Sequence, residues 1–267
     1  MRRGLSTPAA RIGLALVALL FLTGLAAPLL TGFDPERQGA DSLLGPGAGH
    51  LLGTDEFGRD IWTRVLYGIR VDVLVTLIAV PAGALLGTAL GVLCGVHRWV
   101  DVVLQRVFDV MLAFTALILG VTVAAISGPG LPAVLITVIG VNVPLFGRIA
   151  RDAVMSQRDR DYAIAAAVVG VRPGRLLVRH ILPNSVDTLI VQAALSLSLA
   201  VFIEGAMSFV GIGVRPPAPS LGSLLRSSVM FLNVNPAYAI GPMIAVTLLV
   251  VGFNLIADGL GKGLLRR

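Results

Sequence analysis

Long uncharged runs constrain this chain more than any other feature of its sequence. Residues 12–30, IGLALVALLFLTGLAAPLL, carry no charged side chain and follow Arg2, Arg3 and Arg11. Coiled as a helix, those nineteen residues reach roughly 28 Å, about one bilayer hydrocarbon core. A cleaved leader is the competing reading, because Ala26 and Ala27 are small and the preceding stretch is basic. Five more apolar segments follow, so a retained first span is the simpler account. The expected spans are 73–96, a third ending near Ile126, then about 131–150, 188–210 and 238–257. Of the 267 residues, 56% are hydrophobic and 13% charged, whereas a soluble domain carries about 25% charged residues. The fold class expected is all-α integral membrane, with about six transmembrane helices.

The segments between the spans have distinct characters. Residues 31–56 are polar and rich in glycine and proline; Phe57, Ile61, Trp62, Val65, Leu66 and Ile69 then recur at helical spacing. That pattern predicts an amphipathic helix along the outer interface, with Trp62 and Tyr67 at headgroup level. Residues 1–70 thus divide as a first span plus an outer amphipathic segment, ahead of a core over 71–260. Within the second span, Gly83, Gly87, Gly91 and Gly95 recur every fourth residue and line one helix face, where another backbone can approach closely. Asp101, Gln105, Arg106 and Asp109 share one side of the helix expected to become span three. Pro144 falls inside span four, where it kinks the helix or starts its last turn. Prolines in GIGVRPPAPS end span five.

Charge sets the expected orientation. With the N-terminus inside, 15 of the 21 cations fall in cytoplasmic segments and six in outer ones. The positive-inside rule then puts both termini and the stretch 151–187 in the cytoplasm. The basic balance clusters beside apolar runs, which points to topology and not to nucleic acid. The lone Cys94 excludes a disulfide framework.

Catalytic devices are missing. Lys262 is the only lysine, and a phosphate-binding loop would need glycine at 256 and Ser or Thr at 263, where Ile256 and Gly263 stand. Neither H-E-x-x-H nor G-x-S-x-G occurs, and His50, His97 and His180 lie in separate segments. No catalytic residue, metal site or bound cofactor is expected. Glu204 is the acid deepest within a span, sixteen residues past Thr188 and roughly 24 Å along the helix, near the outer boundary. It is a candidate pathway or gate residue, against the plainer reading of a solvated or hydrogen-bonded structural group.

The stretch DYAIAAAVVGVRPGRLLVRHILPN (161–184) is a polar and strongly cationic interruption between spans four and five. It resembles the coupling loop of ABC-type importer membrane subunits, in which E-A-A, three residues and a glycine precede an apolar-Leu-Pro. Ala165 and Ala166 match the alanines, Gly170 the glycine, and Leu182-Pro183 the end; Ile164 replaces the glutamate. HLLGTDEFGRDIWTRVLYGIR (50–70), EGAMSFVGIGVRPPAPSLGSLL (204–225) and FNLIADGLGKGLLRR (253–267) resemble the dipeptide/oligopeptide/nickel permease family, its C-type subunit in particular. Thr115, where the family often has proline, and Val143, where it has tryptophan, are departures.

The resemblance implies a type I ABC importer transmembrane domain in a bacterial plasma membrane, translocating di- or oligopeptides. Nickel or another small solute is the alternative within the family, and a stand-alone secondary transporter the alternative outside it. It also implies a second, homologous permease subunit, two ATPase subunits that use the ATP, and an extracytoplasmic binding protein. Ala165, Ala166, Gly170, Leu182 and Pro183 would carry the coupling to the ATPases. The physical reading agrees: an alanine-rich turn is a good helix former with little side-chain bulk, and a glycine after it permits a positive φ that ends the helix.

Overall fold

The computed structural model describes residues 7–96, 98–158, 160, 161, 165, 168, 169 and 182–264. Its elements are α1 (Pro8–Leu25), a short α2 (Ala27–Leu30), α3 (Ile61–Val96), α4 (Arg98–Ala113), α5 (Ala116–Ser127), α6 (Leu131–Arg158), α7 (Leu182–Val210), α8 (Leu221–Ser228) and α9 (Ala237–Leu264). Among the described residues there is no strand beyond one isolated bridge, Thr54 to Asp60. Among the described residues, five helices are long and apolar enough to cross a membrane, or six if the bent pair α4 and α5 is one span.

The packing is built on close backbone approach. α3 and α6 form the most extensive pair, and the four in-register glycines are where they meet. A Cβ at Gly83 would lie 2.6 Å from the Cβ of Asn142, at Gly87 2.9 Å from that of Phe146, and at Gly91 2.9 Å from that of Ala150. At Gly95 it would press on Val154. No side chain fits along that seam. α1 docks on α9 in the same manner, with Gly13 against the carbonyl of Gly252 and Gly259 against Ala10.

Residues 61–70 are not a separate outer helix. Asp60 caps α3, its carboxylate accepting from the backbone N–H and hydroxyl of Thr63 at 2.7 and 2.6 Å, and nothing interrupts the helix before Val96. Even Pro81 is absorbed. Ile61, Val65, Leu66 and Ile69 are buried against Leu221, Tyr238, Leu249 and Phe253, with Trp62 and Tyr67 packed beside them. The apolar stripe therefore seals a protein core, and residue 70 marks no boundary in the chain's backbone.

Span three also departs from expectation. α4 and α5 meet at a bend of 94° around Phe114 and Thr115. Thr115 supplies the break without a proline: its backbone is extended and its hydroxyl caps the N–H of Ile118 at 3.4 Å. Pro144 lies well inside α6, which continues to Arg158, so the helix absorbs it and does not end there.

Connections gather at one end of the bundle into a compact cap. Arg64 donates to the carbonyl of Pro35 at 2.7 Å, Asn235 to that of Leu44 at 3.0 Å, and the Tyr238 hydroxyl to Glu56 at 2.9 Å. Gly130 donates its N–H to Ile212. At the centre, buried Asp55 accepts from the guanidinium of Arg59 at 2.6 Å and lies 3.5 Å from Arg64.

Candidate functional site

The segment expected to couple the chain to a partner joins α6 to α7 at the bundle end opposite the cap. Its regular flanks are longer than the sequence suggests, because residues 151–158 belong to α6 and α7 already begins at Leu182. The connection thus narrows from 151–187 to the residues between Arg158 and Leu182. Ala165 is helical and exposed, and accepts a hydrogen bond from the N–H of Val169 at 3.1 Å, one turn of helix. Val168 and Val169 stand 81% and 83% exposed. Pro183 is exposed in the first turn of α7. Ala166 and Gly170 lie outside the described residues. Sequence reasoning fixed on the alanines and glycine; the two bare valines beside them were legible as VV in the sequence, but only their exposure singles them out.

Both helices flanking this connection are rigidly tied to the rest. α6 is locked to α3 by the glycine seam and carries Arg148 and Arg151, which pair with Asp109 and Asp101 of α4. Arg151 holds Asp101 through two nitrogens, Nη2 lying 2.7 Å from Oδ2. α7 packs on α3, α6, α8 and α9.

Glu204 does not sit at a wet boundary. It is fully buried in α7, accepts a hydrogen bond from Ser208 at 2.7 Å, and lies against Asp72 of α3, itself 1% exposed. Ser208 in turn accepts from the N–H of Val214, tying the turn after α7 to the same group. Of the plainer readings, a solvated or a hydrogen-bonded structural group, the solvated one is excluded by burial: α8 folds back over α7, with Gly222 against the backbone of Gly205. Asp72 stands out only in the structure: in the sequence it falls between the expected interface segment, which ends at Arg70, and the second span, which begins at Val73.

Two of the motifs that suggested a family build the cap. Within TDEFGRD (54–60), Asp55 accepts from the N–H groups of Phe57 and Arg59, while Gly58 takes φ +69. Within GIGV (211–214), Gly211 takes φ +95, a left-handed conformation that side chains disfavour.

The family model for "Binding-protein-dependent transport system inner membrane component" matches residues 87–267. The chain belongs to that family. It is 40% identical over 255 residues to the dipeptide transport system permease protein DppC of Alkalihalophilus pseudofirmus, covering 95% of this chain and 84% of that one. The Haemophilus influenzae protein of the same description is 35% identical, covering 96% and 89%. A glutathione transport system permease protein, GsiD of Pectobacterium atrosepticum, is 33% identical, covering 99% and 87%. The chain is thus a multi-pass permease subunit of an ABC-type importer, and the helical bundle is the type I transmembrane domain of that class.

Proposed function

We propose that this permease translocates short peptides, and that the connection between α6 and α7 receives the force of ATP hydrolysis from separate ATPase subunits. The relatives' descriptions name dipeptide and glutathione systems, which supports peptide over nickel as the cargo. Membership in a binding-protein-dependent family speaks against a stand-alone transporter.

The observation that carries the coupling reading is the exposed helical turn at Ala165 with Val168 and Val169 bare at its end. Two apolar side chains that project from a connection between spanning helices gain by burial in a partner's groove. Closure of an ATPase pair would push on this turn, and α6 and α7, stiff over 28 and 29 residues, would carry the displacement into the bundle. The chain has no phosphate-binding loop of its own, so ATP belongs to the partners. A second membrane subunit would complete the path, and an extracytoplasmic binding protein would meet the cap. The distribution of cations, 15 against six, supports a cytoplasmic placement of the coupling turn and both termini.

The test is Gly170→Trp, made alongside Val168→Asp, in the complex reconstituted with its ATPase and binding-protein partners. Peptide uptake and peptide-stimulated ATP hydrolysis should both collapse while the permease stays in the membrane at its normal level. Wild-type uptake and stimulation in both variants would overturn the coupling assignment.

A further inference from the structure

α4 divides its surface into three sectors. Phe108, 1% exposed, and the carboxylate of Asp101 face the bundle. On one side of that contact lie Arg98, Arg106 and Asp109. On the other lies an exposed apolar row formed by Val103, Val107, Val110 and Phe114, with Trp99 at its edge. With successive residues about 100° apart, the polar and apolar rows flank the protein contact from opposite sides, and Val102 and Ala113 are the apolar residues among the charges.

The helix also lies across the bundle. Asp101 and Asp109 are eight residues apart, roughly 12 Å along α4, yet pair with Arg151 and Arg148, about 4.5 Å apart along α6. The 94° bend into α5 agrees with that crossing. With α6 as a membrane span, that crossing would set α4 towards the membrane plane, near the level of Arg148 to Arg151.

We propose that α4 is an in-plane helix whose Val103–Val107–Val110–Phe114 row is buried in lipid acyl chains, with Arg98 and Arg106 at the headgroups. The lipid is favoured as occupant by continuity: past Thr115, whose hydroxyl accepts from the N–H of Ile118, the row runs on into Leu117, Ile118 and Val121, the exposed apolar face of α5. A protein interface would ring its apolar centre with polar residues. Trp99, 83% exposed, stands where the amphipathic ring of tryptophan suits the headgroup boundary. The two arginines add attraction to anionic lipids. The assignment rests on α6 spanning the membrane and not on which way the chain is oriented. The Asp101–Arg151 and Asp109–Arg148 pairs would then hold α6 against a float of fixed depth.

Spin labels decide it. In a Cys94→Ala background, Val103→Cys, Val107→Cys, Val110→Cys and Arg106→Cys are labelled in the full chain, in nanodiscs of phosphatidylethanolamine and phosphatidylglycerol. The three valine sites should show several-fold greater exposure to oxygen than to a water-soluble nickel chelate, and one shared depth, ~5–10 Å below the headgroups. Arg106→Cys should show the reverse preference. A steady increase of depth from 103 to 110 would mean a crossing helix, and chelate access at all sites a solvated one; either overturns the proposal. So does a photo-crosslinker at Val103 that joins another polypeptide in the assembled complex. Labelling of Arg106→Cys by an impermeant reagent from the opposite side would refute only the orientation.

Discussion

At the scale of single residues, absence of a side chain and presence of a buried charge carry the most weight. Gly91→Val puts a branched side chain where the Cβ alone would already collide with the carbonyl oxygen of Gly147 and lie 2.9 Å from the Cβ of Ala150. Overpacking of this kind costs about 1–3 kcal/mol. The thermal midpoint of the purified chain should fall accordingly. Gly205→Ala should leave it unchanged, because nothing lies within 4 Å of the added methyl. Asp55 is the second sensitive point. Asp55→Ala strands Arg59 and Arg64, 6% and 4% exposed, with their common anion removed, and breaking such a buried pairing costs about 3–5 kcal/mol. The variant should lose most of its monodisperse fraction on size exclusion in detergent, whereas Asp34→Ala, at the exposed rim, should behave as wild type.

Elements behave as rigid pairs joined at a few polar points. The attachment of α4 to α6 depends on Asp101–Arg151 and Asp109–Arg148, whose side chains are partly exposed. Such pairs contribute modestly, roughly 0.2–1 kcal/mol each. Arg151→Asp alone should lower the midpoint, since it faces Asp101 with a like charge; adding Asp101→Arg should recover much of it. Failure of the double variant to recover would show that α4 is held by Phe108 in its slot beside Gly147 and not by charge. The element scale is also where sequence periodicity misled. Residues 61–70 carry an amphipathic pattern that fits an interface helix and a core-facing helix equally, because periodicity reports one apolar face but not what covers it. Tyr238 and Leu221, more than 150 residues away in sequence, cover it here. The break at Thr115 was hidden for a related reason: threonine caps helices but also lies comfortably within them.

For the whole molecule, the cap and the α6–α7 connection occupy opposite ends of the bundle, which makes orientation measurable. In the Cys94→Ala chain, Gly45→Cys in the cap should react with an impermeant maleimide added to intact cells. Val168→Cys should react only after the membrane is opened. The reverse pattern would invert the bundle and remove the ground for placing the ATPases at the Val168 end.

Fold class, the apolar spans, the glycine face of α3 and the existence of a polar connection between α6 and α7 were all legible in the sequence. Each depends on local composition or on a fixed helical period, which the chain carries wherever it folds. Membership in the permease family was legible too, through TDEFGRD and GIGVRPPAPS, although those motifs serve the cap. The tertiary structure alone decided that α6 is what the glycines meet, that Glu204 is buried against Asp72, and that span three bends by 94° into a helix with three different faces. These depend on which surfaces come together across long stretches of chain, and a sequence states what each surface is made of without stating what it touches.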